Sequence, residues 1–239
     1  MSSSPPRIVL VHGAWSGPWV FDRLTAQLRG RGFDVDTVTL PSVGGTVDML
    51  ADAEAITARL DAATGPVTLI AHSYGGIPTT QAGDHPAVAR IVYIAAFALD
   101  EGESLQGSLG GSIPDFWGVA DGMVSMGRSR EERIAMASAD LPEDAPADLA
   151  VILADMFQPQ SLTAFTTPVN RVPAWKTKPT TYILAEQDQL VPPAFQEHVA
   201  ARAGAHVIRV NTGHTPFEED PSWFADLLVG VFTAERTVA

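Results

Sequence analysis

The chain has no cysteine among its 239 residues. That absence removes disulfide staples, thiolate nucleophiles, cysteine-ligated zinc and iron–sulfur clusters. Positive charge is scarce as well: 15 Lys and Arg stand against 28 Asp and Glu, a formal net charge of -13. With no basic run to offset it, such a surface repels phosphate backbones and anionic lipid, so neither nucleic acid nor a membrane is an expected partner. No apolar stretch approaches the roughly 20 residues that a membrane span needs. The opening MSSSPPRIVLVHG has no basic region followed by a long apolar segment, and a cytoplasmic location is the expectation. Nothing reads as a phosphate loop ending in Lys, a dinucleotide fingerprint or a zinc-ligand cluster, so no metal and no organic cofactor is expected.

What is present is apolar material, 46% of the residues against 18% charged, enough for one large core. Short β-branched runs recur: RIVLVH (7–12), DVDTVTL (34–40), VTLIAH (67–72), RIVYIAAF (90–97), TTYILA (180–185) and HVIRVN (206–211). Most are apolar throughout instead of alternating, as strands covered on both faces must be. Helix-like segments such as VFDRLTAQLRGRG and TVDMLADAEAITARLDAATG separate them, each closed by glycine. Strand, helix, strand in repetition implies an α/β fold: a mostly parallel central sheet of about six strands flanked by helices.

One region breaks this rhythm. Over residues 100–178 the strand pattern stops and Gly, Pro, Ser, Met and aromatics take over. A structureless loop of that length does not fit a compact domain, so a small helical cap inserted after the fourth strand is expected. The core is then 1–99 together with 179–239. Phe116, Trp117, Met123, Met126, Phe157 and Phe165 are candidates to face a substrate pocket, with Trp15 and Trp19 from the start of the chain; each could instead serve only to pack its segment down.

Chemistry concentrates at VTLIAHSYGG. A serine at the tip of a buried strand followed by two glycines gains nothing from packing, but it matches G-x-S-x-G, in which a sharp strand-to-helix turn exposes a nucleophilic hydroxyl. Here the pattern reads Ala71-His72-Ser73-Tyr74-Gly75, with Gly76 following. A serine hydroxyl needs a base, and the base an orienting carboxylate. The later strands deliver both at their carboxyl ends: Asp188 after TTYILA and His214 after HVIRVN. The order Ser73, Asp188, His214 is the chain order of this architecture. Glu186 and Asp100 are the competing acids. His72 is a poor base because neighbours on a strand point to opposite sides, and His85, His198 and His206 are expected to be solvated or structural. The His-Gly turn after the first strand places the N–H of Ala14 where, with that of Tyr74, it can hold a developing oxyanion; His12 then stabilises the turn.

These residues resemble the α/β-hydrolase fold, and within it the small esterase group that includes plant methylesterases, hydroxynitrile lyases and related bacterial esterases. The resemblance is carried by VLVHGAWSGPWVF, AHSYGG, PAWKTKPTTYILAEQDQLVPP and TGHTPFEEDP, and it departs from the pattern at Ala71, where the motif has Gly. It implies the same roles for Ser73, His214, Asp188, Ala14 and Tyr74. The lyases carry Thr where this chain has Gly13 and Lys where it has Thr215, so the resemblance implies hydrolysis over cyanide elimination. The expected activity is hydrolysis of a small carboxylic ester through an acyl-serine. Lactone, thioester or C–C bond hydrolysis, a biosynthetic cyclisation or elimination, and a non-catalytic small-molecule receptor are the alternatives. The expected partner is a small ester-like substrate, with the chain a monomer or a homodimer.

Overall fold

The computed structural model describes residues 7–139, 141 and 146–234. The Ser/Pro run at the start and Asp140 of the expected charged helix lie outside the described residues. The chain begins with β1 (Arg7–Val11), α1 (Asp22–Gly30), β2 (Val35–Val38), α2 (Met49–Asp61), β3 (Val67–His72), α3 (Gly76–Ala82) and β4 (Val88–Ile94). There follow α4 (Leu105–Ser108), β5 (Gly118–Ala120), β6 (Met123–Ser125), α5 (Arg130–Ala139), α6 (Leu149–Met156), β7 (Gln160–Ser161) and α7 (Leu162–Thr166). The chain then returns through β8 (Thr180–Ala185), α8 (Pro193–Arg202), β9 (His206–Val210), α9 (Pro216–Glu219) and α10 (Pro221–Ala234).

Six strands pair in the order β2-β1-β3-β4-β8-β9. All five pairings are parallel, with Leu10 opposite Ile70, Ala71 opposite Tyr93 and Tyr93 opposite Tyr182. Alternate side chains enter two separate cores. Val9, Val11, Leu69, Ala71, Tyr93 and Leu184 pack on one face with residues of α2, α3 and α8. On the other, Ile8, Leu10, Ile70, Val92, Ile94 and Ile183 pack with Leu24 and Leu28 of α1 and Phe224 and Leu228 of α10. Because both faces are covered, β3 is buried at every position. Each fully buried Ile or Leu contributes roughly 2 kcal/mol, so this two-sided burial is the main force holding the sheet. The edge strand β9 is the exception, exposing His206, Val207 and Arg209. No helix among the described residues is long and apolar enough to cross a membrane.

The segment between β4 and β8 carries the expected helices and, in addition, a small antiparallel sheet in the order β5-β6-β7. Its hairpin turns on Asp121 (φ 51°) and Gly122 (φ 75°), both left-handed, as a two-residue turn between right-twisted strands requires. Strand β7 pairs Gln160 with Val124 on one side and bridges to Val43 on the other. The N–H of Ser161 donates to the carbonyl of Ser42 at 2.9 Å, so the segment is bonded to the loop after β2.

Candidate active site

Ser73 lies at the tip of β3 with φ 52°, a left-handed backbone that costs a non-glycine residue about 1–3 kcal/mol and persists only where its surroundings dictate it. The neighbours dictate it here. A Cβ on Gly75 would collide with the carbonyl oxygen of His12 and lie 2.8 Å from that of Val11; one on Gly76 would lie 2.8 Å from the carbonyl oxygen of Phe97. Both glycines are therefore needed for the turn to press against β1 and the end of β4. The turn is also bonded, since the N–H of Phe97 donates to the carbonyl of Ser73 at 3.1 Å. Gly13 approaches from the other side: a Cβ there would lie 3.0 Å from both Ser73 Cβ and His72 Nδ1.

His214 and Asp188 arrive from the loops after β9 and β8. His214 Nδ1 lies 2.8 Å from Asp188 Oδ2, with both side chains buried. Asp188 Oδ1 accepts the backbone N–H groups of Leu190 and Val191, each at 2.8 Å, and Oδ2 also accepts Gln196 Nε2 at 2.9 Å. A carboxylate saturated by donors in this way is fixed in orientation, so Nδ1 of His214 faces it as the N–H and Nε2 is left as the basic nitrogen. Gln196, fully buried on α8, also donates to the carbonyl of Val191 at 2.7 Å and accepts the N–H of Ala185 at 3.0 Å. The sequence reading missed it, because a glutamine in a helix looks like a solvent-facing residue.

The rival acids lie elsewhere. Asp100 pairs with Lys176 at 2.6 Å, which holds its carboxyl below the usual range, and Glu186 lies 3.7 Å from Arg209. His85 lies 3.1 Å from Asp61, and His198 and His206 are exposed. His12 is buried, with Nδ1 2.9 Å from the carbonyl of Gly13 and Nε2 accepting the N–H of Leu40 at 3.1 Å. Burial pulls it down to about 4, against a weaker pull upward from the Gly13 carbonyl, so it stands neutral and ties β1 to β2. His72 is held well below its ordinary value, first by burial and then by His214 beside it.

Ser73, His72, His214, Ala14 and Thr215 meet at one narrow cavity of about 80 Å³. Apart from Ser16, the rest of its wall is uncharged and apolar, with Trp15 and Val20 from the core and Met126, Met136, Leu153 and Phe157 from the segment between β4 and β8. No Asp, Glu, Lys or Arg lines it. Trp15 and Met126 line this cavity, and Tyr74 follows Ser73 with its side chain directed into the core. Phe116, Trp117 and Met123 are not in the wall. Trp117 packs edge-on against Trp15, ring centres 4.9 Å apart, and with Met123 borders a separate open depression; Phe116 is half exposed beyond it. In the strand after the Asp121-Gly122 turn and the residue that follows it, Val124 and Met126 are buried, whereas Met123 is only partly so. Among the described residues no cluster of three or more His, Asp or Glu could hold a metal.

Known proteins resemble this chain in sequence and fold. A probable hydrolase, R7, from Phoma sp. is 29% identical over 242 aligned residues, spanning 93% of this chain and 96% of that one. Methylesterase 7 of Arabidopsis thaliana is 34% identical over 106 residues, 39% of this chain and 41% of its own. Among solved structures, the pyrethroid hydrolase of Sphingobium faniae JZ-2 superposes with a TM-score of 0.80 at 25% identity, over 96% of this chain and 99% of the other. The sequence profile of the alpha/beta hydrolase family matches residues 8–227. The chain belongs to the alpha/beta hydrolase family.

Proposed function

We propose that this enzyme hydrolyses small, neutral carboxylic esters through an acyl-serine intermediate. The observation that carries the reading is the imidazole of His214, oriented by Asp188, opening onto the same apolar cavity as the strained Ser73. Ser73 Oγ attacks the ester carbonyl as His214 Nε2 takes its proton. The N–H groups of Ala14 and Tyr74 hold the oxygen that becomes negative. His214 then passes the proton to the departing alkoxide, leaving the acyl group on Ser73. Water attacks that acyl-serine with its proton going to His214, and collapse releases the acid and restores the serine.

The substrate class follows from the wall. A cavity with no charged side chain offers nothing to an anionic group and favours apolar acyl or alcohol portions. Residues 100–178 act as a lid domain in this reading, since Met126, Met136, Leu153 and Phe157 shape the side of the cavity away from the sheet. The hydrolase and esterase names of the relatives support the reaction type.

The test is covalent labelling with a fluorophosphonate followed by intact mass. One adduct in the parent, lost in Ser73→Ala, is expected. A folded parent that stays unlabelled by both this probe and a smaller organophosphate would overturn the reading. A panel of p-nitrophenyl esters, lactones and thioesters then separates ester cleavage from its nearest alternatives.

A further inference from the structure

Beneath the site lies a carboxylate that the proposed reaction does not use. Asp52, fully buried on α2, accepts three hydrogen bonds: from Ser42 N–H at 2.9 Å, Ser42 Oγ at 2.6 Å and Tyr74 Oη at 2.7 Å. Among the described residues no cation pairs with it. Its donors are neutral, and two routes lead from it to the place where the oxyanion would form. One is a single step to Tyr74, whose own N–H is an oxyanion donor in the reading above. The other runs through Ser42 Oγ, which accepts Gln160 Nε2 at 2.8 Å, to Gln160 Oε1, which accepts the N–H of Trp15 at 3.1 Å. Trp15 follows Ala14, the second oxyanion donor.

Trp15 needs that hold. Its φ of 60° is left-handed, where a bulky residue is strained, and every bond that fixes it comes from the lid segment. Besides Gln160, its carbonyl accepts the N–H of Gln158 at 2.8 Å, and its indole Nε1 donates to the carbonyl of Val124 at 2.9 Å. Ser42, Asp52, Tyr74 and Gln160 are all buried, so water cannot replace a lost partner, and a broken bond leaves an unsatisfied group and a shifted backbone.

We propose that Asp52 is a positioning residue that aligns the two oxyanion-holding N–H groups from below, one through Tyr74 and one through Ser42, Gln160 and Trp15. Through Gln160 it makes transition-state binding depend on the lid segment being seated. The inference rests on the reading of Ala14 and Tyr74 as oxyanion donors. It separates this carboxylate from one that only stabilises α2: a structural carboxylate sets how much enzyme is folded, whereas a positioning one sets the rate of each folded molecule.

The experiment compares Tyr74→Phe, Gln160→Met and Asp52→Asn with the parent, each normalised to active sites counted by fluorophosphonate. The readouts are kcat and KM for p-nitrophenyl butyrate and the inhibition constant of butylboronic acid, which adds Ser73 Oγ to boron to give a tetrahedral anion resembling the oxyanion intermediate. Misplacement of a donor by a fraction of an ångström is expected to lower kcat about tenfold in each variant with KM within about twofold. The boronic acid should weaken by the same factor as kcat falls. Tyr74→Phe combined with Asp52→Asn should be no slower than Asp52→Asn alone. Unchanged kcat per titrated site in Tyr74→Phe and Gln160→Met would overturn the proposal, and these two variants decide it even if Asp52→Asn does not fold. A folded parent that takes up neither fluorophosphonate nor the smaller organophosphate would instead defeat the serine-hydrolase reading itself.

Discussion

His72 Nε2 donates to the backbone carbonyl of His214 at 2.9 Å, and the two rings lie 4.5 Å apart, so the residue before Ser73 holds the loop that carries His214. This gives His72 a structural task that its buried, neutral ring can perform. His72→Phe keeps an aromatic ring but loses the donor to the His214 carbonyl. Ester turnover should fall roughly tenfold and stability by about 1–3 kcal/mol. Steady-state kinetics and urea unfolding check both, and an unchanged kcat would show that the loop is held without it. The acid limb of the parent's pH–rate profile should fit one proton, because His12 at about 4 and the depressed His72 lie outside the range of a working base.

Asp188 and Gln196 separate orientation from support. Asp188→Asn places an amide against His214 Nδ1 and favours the wrong tautomer, so kcat should fall by about 10³–10⁴ with little effect on KM. Gln196→Leu leaves the carboxylate and its two backbone donors in place but removes the third donor and strands the Val191 carbonyl. Its cost should appear mainly as roughly 2 kcal/mol of stability, with a smaller loss of kcat. Equal losses of kcat in the two variants would mean that Gln196 controls the orientation of Asp188 outright.

The glycines of the turn and those of the helices should answer alanine in opposite ways. At Gly75 the new methyl would press on the carbonyls of Val11 and His12, neither of which can move without breaking β1, and no folded enzyme is expected. Gly230, inside α10, has nothing within 4 Å of the same position, so Gly230→Ala should gain about 0.5–1 kcal/mol. Circular dichroism and thermal melts of the two variants make the comparison; a folded, active Gly75→Ala would remove the steric account of the elbow.

Much of this site was legible because a parallel sheet leaves few choices. Once β3, β8 and β9 are read as strands, their carboxyl ends must carry Ser73, Asp188 and His214 to one edge. What escaped had no periodic signal. Strands β5, β6 and β7 have two or three residues each, too short for alternation, although Asp121-Gly122 between Ala120 and Met123 is a hairpin turn in plain sight. Without that turn, nothing in the composition tells Met126, which faces the cavity, from Phe116, Trp117 and Met123, which do not. Nothing in the sequence marks Asp52 or Gln196 as buried, and only the tertiary fold shows that polar partners fill the core around them.

A buried histidine and a half-buried glutamate should pull stability in opposite directions as pH changes. His12 is depressed from 6.5 to about 4 by burial, so between those values the unfolded chain binds the extra proton and the folded one does not. Its contribution is complete above about 6.5 and is lost as pH falls toward 4, on the order of 3 kcal/mol in all. His72 has the same sign. Glu218 is raised from 4.5 to about 7 by burial, only partly offset by Arg23 at 3.6 Å, so here the folded state holds the proton. Its contribution is complete below about 4.5 and is lost as pH rises through 7. Glu218→Gln, which stays neutral, should therefore gain roughly 2 kcal/mol at pH 8 and lose stability more steeply than the parent on acidification to pH 5. His12→Gln should show the reverse, a shallower loss over the same range. Urea unfolding at about pH 8, 6.5 and 5 reads both slopes, and a Glu218→Gln variant that parallels the parent at every pH would mean that this carboxyl is ionised in the folded enzyme throughout.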